Sequence, residues 1–188
     1  MATVLLFHHA LGLTEGLRAF AGTLREAGHV VHCPDLYDGR TFADVNAGVA
    51  HAQSAGFGNI MAAGVEFAES LPGGLVYAGF SLGVLPAQQL AQTRPGGRGA
   101  LLYHDVIPAG HLDGSWPTAL PVQIHVTESD PWADHSAVQA LARDAEDAEL
   151  FIYPGNAHLF ADPSSSEYDD DAAALLMTRT LVFLERLG

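Results

Sequence analysis

The chain has 188 residues, which suits one domain over 1–188 rather than two. Hydrophobic residues make up 48% and charged residues 16%, against roughly 25% charged in an average globular chain, so there is ample material for a core and disorder is excluded for most of the length. Asp and Glu number 22 against 8 basic residues, all Arg, and the net charge of −14 repels phosphate backbones and anionic membranes, which argues against nucleic acid and membrane as partners.

Thr3–His8 is an apolar run of strand length, with no basic stretch before it, and it stops at two histidines, so it does not read as a signal peptide. Leu17–Ala27 has helical spacing (Leu17, Phe20, Ala21, Leu24) and ends at Gly28. His29–Cys33 is β-branched and ends at Pro34, the mark of a strand. Cys33 is the one cysteine and reads as a small buried residue. It excludes an intrachain disulfide framework and a Cys-based zinc site, and it fits the reducing cytoplasm.

Residues 34–45 read as a loop, and Ala47–Leu71 as helix with a break at Ser54–Gly58. Strands follow at Gly74–Ala78, Ala100–His104, Val122–Thr127 and Glu149–Tyr153, with helices at Gly83–Thr93 and Asp134–Asp144 between them. Ser166 and Asp169 have capping-box spacing and open a last helix to about Leu187, with Asp169, Asp170 and Asp171 in its first turn, where the helix dipole favours negative charge. No run approaches the ~18 apolar residues of a membrane span. No repeat with a period of roughly 20–50 residues is visible.

Six apolar strands separated by helices predict an α/β fold, with an open, mostly parallel sheet of about six strands covered on both faces. Such sheets bind ligands beyond the carboxyl ends of their strands, so catalytic residues are expected just after strands. Gly79-Phe80-Ser81-Leu82-Gly83 meets that condition between a strand and a helix, the context of a nucleophile elbow. A tight turn that merely needs glycines is the plainer alternative. In an elbow, Ser81 is held with its hydroxyl exposed, and the helix N-terminus beneath it favours a developing oxyanion.

Serine needs a base, and the base needs an acid to orient it. His158 lies after the last strand and is the one histidine beyond residue 135, so it is the expected base. Asp130, three residues past Thr127, is the favoured acid; Asp105, directly after His104, also obeys the geometry. The N–H groups of Leu82 and Ala10 are the expected oxyanion donors.

The chain as a whole resembles the dienelactone hydrolase family of the α/β-hydrolase superfamily. The resemblance rests on His9-Ala10-Leu11-Gly12, Pro34-Asp35-Leu36-Tyr37, Gly79–Gly83, Ser129-Asp130-Pro131 and Ala157-His158-Leu159-Phe160. It implies a three-layer sheet lacking the first two strands of larger superfamily members, and the triad Ser81, Asp130, His158. Three positions depart from the family's pattern. Ser81 stands for the Cys nucleophile of its founding members. His9 replaces their Glu and is expected to contact substrate or line the pocket. Asp162 replaces an Arg that binds the substrate carboxylate, and it would repel such a group, so a neutral small-molecule ester or lactone is expected.

Arg40 is a candidate for local positive charge at the substrate, and Trp132 and Phe160 are candidate pocket residues. The connection Asp105–Leu120 is too short for a helical cap domain, which implies an open site. The acyl-transfer chemistry requires neither metal nor cofactor. A thioesterase, or a binding protein on the same fold in which Ser81 is never acylated, remains the alternative. A metal-dependent hydrolase is disfavoured: His8 and His9 are adjacent and point to opposite faces, and no H-x-x-x-H pair exists.

Overall fold

Nearly continuous apolar strands require cover on both faces, and the computed structural model, which describes residues 1–188, has that architecture. Six parallel strands, β1 (Thr3–Phe7), β2 (Val30–His32), β3 (Leu75–Phe80), β4 (Gly99–Tyr103), β5 (Val122–Thr127) and β6 (Ala148–Tyr153), form one sheet in the order β2-β1-β3-β4-β5-β6. Successive side chains alternate between its faces. Val4, Leu6, Val76, Ala78, Phe80, Leu101 and Tyr103 join one core layer, and Leu5, Phe7, Leu75, Tyr77, Ala100 and Leu102 join the other. Each layer holds 20 buried residues, so neither face of the sheet is left to solvent.

The first layer is closed by α1 (Glu15–Glu26) and α6 (Asp170–Leu187), the second by α4 (Val84–Thr93) and α5 (His135–Asp144), with Ala68 of α3 (Phe57–Glu69) added. The helical stretch before β3 breaks at Gly56, whose φ of 88° separates α2 (Val45–Ala55) from α3. Thr14 caps α1 by accepting from the Leu17 N–H, and Asp169 caps α6 by accepting from the Ala172 N–H. The expected capping box is therefore displaced: Asp169 is the cap itself, not the third helical residue after Ser166. Residues 104–121 contain neither helix nor strand, so no cap domain covers the carboxyl ends of the strands. No helix is long and apolar enough to cross a membrane.

The strand order locates the crevice. From β1 the chain goes outward through α1 to the edge strand β2, then returns through α2 and α3 to β3 on the other side of β1. The connections diverge at the carboxyl ends of β1 and β3, the switch point where open α/β sheets bind ligands. Ala10 follows β1 there, and Ser81 follows β3.

Candidate active site

β3 runs two residues further than its apolar core predicts, through Gly79 and Phe80, so the chain turns at Ser81 itself. Ser81 has φ 49°, a left-handed conformation uncommon for a residue with a side chain. A 3-10 turn, Ser81–Gly83, then leads into α4. Both flanking glycines are required by close approach. A Cβ on Gly79 would collide with the Gly83 carbonyl, and one on Gly83 with the Phe7 carbonyl of β1. The turn thereby folds tightly back on β3 and lies against the end of β1.

The His158 loop follows β6 and is sewn to the end of β5. Glu128 N–H donates to Tyr153 O at 2.9 Å, Ser129 N–H to Gly155 O at 3.0 Å, and Thr127 Oγ1 to Ala157 O at 3.1 Å. These bonds bring Asp130 and His158 to one place although 28 residues separate them. Ser81 Oγ lies 2.7 Å from His158 Nε2, and His158 Nδ1 lies 2.7 Å from Asp130 Oδ2. The second carboxylate oxygen, Oδ1, accepts from the Trp132 N–H at 2.9 Å, so Asp130 is oriented from both sides. Asp130 and His158 are 3% and 2% exposed, which leaves Ser81 as the side of the array that meets solvent.

Ser81 opens onto a cavity of about 340 Å³ lined by Ala10, Val49, Phe57, Leu82, Leu85, Asp105, Ile107 and Trp132. Ala10 N–H donates to no group of the protein. No cation lines the cavity, and its one ionisable side chain is Asp105, whose carboxyl is pushed up by burial, partly offset by N–H donors from Asp134 and Val106. Asp105 therefore sits at the cavity wall, and Asp130 is the carboxylate that meets His158.

Several expected site residues stand elsewhere. His9 is fully buried and its Nε2 is occupied by Asp162 Oδ2 at 2.6 Å, so it neither lines the cavity nor can touch substrate. Asp162, 1% exposed, faces inward to His9 and Thr14, which removes it as a charge repelling substrate. Phe160 is also buried, with its ring 4.8 Å from those of His104 and Tyr153, and forms core rather than pocket. Arg40 lies in an exposed loop and is absent from the cavity wall. Trp132 is the pocket candidate that does line it.

The structure adds a residue that carried no sequence signal. His104 follows β4 with φ 76°, is fully buried, and has no partner for either ring nitrogen. Burial first, then the nearby His158, His9 and His125, hold it well below the ordinary histidine range. Its ring lies 5.8 Å from that of His158. No group of three His, Cys, Asp or Glu side chains is gathered for a metal ion.

Comparison with known proteins agrees with this architecture. No curated protein sequence matches the chain. Similar solved structures include a dienelactone hydrolase-like promiscuous phosphotriesterase from metagenomic libraries, 20% identical with TM-score 0.76, covering 100% of this chain and 87% of that one. Esterase PE8 is 15% identical with TM-score 0.65, covering 100% and 93%. A cold-adapted esterase from an Arctic intertidal metagenomic library is 18% identical with TM-score 0.63, covering 98% and 82%. These likenesses place the fold among the α/β hydrolases. The model of the dienelactone hydrolase family matches residues 1–188 in full, and the chain belongs to that family of ester hydrolases.

Proposed function

We propose that the protein is a serine hydrolase of small neutral esters or lactones, acting through an acyl-enzyme on Ser81. The observation that carries this reading is the continuous array Ser81 Oγ–His158–Asp130, with 2.7 Å at each link, opening at Ser81 onto an uncapped cavity. His158 Nε2 takes the hydroxyl proton as Ser81 Oγ bonds to the carbonyl carbon. Asp130 holds the Nδ1–H tautomer and stabilises the imidazolium. The N–H groups of Leu82 and Ala10 receive the oxyanion, and His158 passes its proton to the departing alcohol. Water, deprotonated by His158, then releases the acid. Residues of the chain carry every one of these steps, with the whole span 1–188 acting as one domain.

The cavity supports a substrate class. An apolar wall with one carboxylate and no cation disfavours a substrate carboxylate and suits a neutral ester. Asp105 thus takes the role expected of Asp162. The lone, partly buried Cys33, its thiol pushed up to about 11 by burial, suits a reducing cytoplasm.

The test is fluorophosphonate labelling read by intact and peptide mass spectrometry, followed by a panel of neutral and carboxylated esters. One adduct on Ser81 is expected, and Ser81→Ala should lose label and lower turnover by about 10⁴-fold or more while remaining folded. An unlabelled, folded wild type would instead favour a ligand-binding role.

A further inference from the structure

The site contains a second buried His–carboxylate pair, which the reaction described above does not use. Asp162 Oδ2 accepts from His9 Nε2 and from Thr14 Oγ1, each at 2.6 Å, and Oδ1 accepts from the Ser164 N–H at 2.7 Å. Burial works to raise this carboxyl, but the hydrogen bonds from His9, Thr14 and Ser164 outweigh it and hold it below the usual carboxylate range. The other nitrogen of His9, Nδ1, accepts from the Leu11 N–H at 3.2 Å, so the ring proton sits on Nε2.

Both peptide planes around Ala10 are held from the interior. The His9 carbonyl accepts from His8 Nδ1 at 2.8 Å and from the Gly12 N–H at 3.0 Å. In a trans peptide the N–H points away from the carbonyl oxygen. With that oxygen anchored inward, the N–H of the same plane, which is that of Ala10, is turned away from these anchors and keeps no partner in the protein. The next plane is held by its own N–H, that of Leu11, on His9 Nδ1. Asp162 lies four residues past His158, so the pair also ties the oxyanion loop to the segment that carries the base.

We propose that His9 and Asp162 are positioning residues for the oxyanion-binding loop: they brace its Leu11 side, while His8 and the Gly12 N–H hold the plane of the Ala10 N–H, and so they keep that N–H in place without touching substrate. This rests on the serine-hydrolase reading. An aimed N–H matters most when negative charge develops on the carbonyl oxygen, so its loss falls on kcat and leaves KM nearly unchanged.

Two substitutions separate the two nitrogens of His9. His9→Gln can still donate to Asp162 from the Nε2 position but has no acceptor left for the Leu11 N–H. His9→Asn places an oxygen where Nδ1 stood and gives up Asp162. Steady-state kinetics on p-nitrophenyl acetate, with active sites counted by fluorophosphonate, should show kcat for His9→Gln lowered about 10- to 100-fold with KM within about threefold. His9→Asn should keep more of kcat than His9→Gln.

Thr180→Val serves as the control. It removes the buried Tyr103–Thr180 hydrogen bond and should lower Tm without changing kcat. A kcat for His9→Gln within twofold of wild type, a loss confined to KM, or a kcat that merely follows Tm across all three variants would overturn the positioning role. A wild type that fluorophosphonate does not label at Ser81 would overturn the serine-hydrolase reading and this one with it; normal labelling with unimpaired His9→Gln would overturn this one alone.

Discussion

His158–Asp130 and His9–Asp162 are made from the same parts. Each joins an imidazole to a carboxylate, at 2.7 and 2.6 Å, and all four side chains are sealed from solvent. They differ at the remaining imidazole nitrogen. That of His158 meets the Ser81 hydroxyl at the mouth of a cavity, whereas that of His9 is filled by the Leu11 N–H. The carboxylates differ as well: Asp162 takes three donors, two of them side chains, and Asp130 takes its imidazole and one N–H. A buried carboxylate orients a histidine equally well in both places. What differs is the partner of the remaining nitrogen, and on the proposed reading that difference decides whether the histidine moves a proton or only holds backbone.

The sharpest way to break this contrast is to exchange each carboxylate for an amide. Asp130→Asn should lower kcat by about 10⁴-fold, because an amide can donate to Nδ1 and stabilise the wrong tautomer. Asp162→Asn should cost about 10-fold, since its histidine acts through backbone. Equal losses in kcat would collapse the distinction.

A smaller effect is expected from Gly16→Ala. The new Cβ would collide with the Asp162 carboxylate, so the carboxylate must shift, and unfolding by denaturant should show a loss of about 1–3 kcal/mol. Ser81 should still take the fluorophosphonate label.

The last prediction concerns acid. Burial pushes His8 down to about 4 and His125 to about 3, so between pH 6.5 and those values the unfolded chain binds protons that the folded chain refuses. The stability they contribute is complete above pH 6.5 and falls as pH drops through this window, which should appear as a decreasing Tm. A Tm that is flat from pH 6.5 to 4 would contradict it.

The strands, the helices and the elbow were legible because each rests on local pattern: apolar runs ended by Pro or Gly, and a Gly-x-Ser-x-Gly between strand and helix. Errors arose where a side chain's direction mattered. His9 lies beside Ala10 and Phe160 close to His158, so the family pattern for one and the loop position for the other suggested pocket. Phe160 instead turns inward to fill the layer under α6, and His9 meets a carboxylate 153 residues away. The family pattern puts Asp162 where an Arg meets substrate, but its partners Thr14 and His9 lie at the other end of the chain and turn it inward. The Ser166 cap failed by a short distance, since Ser, Ser, Ser and several Asp in a row offer rival caps that only packing of α6 resolves.

The sequence by itself determined the parallel sheet, the order of its elements along the chain and the turn that carries Ser81, and it favoured His158 and Asp130 as the residues beside it, with Asp105 left open. These depend on periodicity, on residue type and on where a residue falls after a strand. Only the tertiary structure decided that His9 is closed off by Asp162 and the Leu11 N–H, that Asp105 rather than Asp162 stands at the cavity wall, and that His104 is sealed beside His158 without a partner. Those outcomes depend on contacts between segments far apart in the chain, where a rotation of one side chain exchanges a substrate contact for an internal hydrogen bond, and local pattern does not record the rotation.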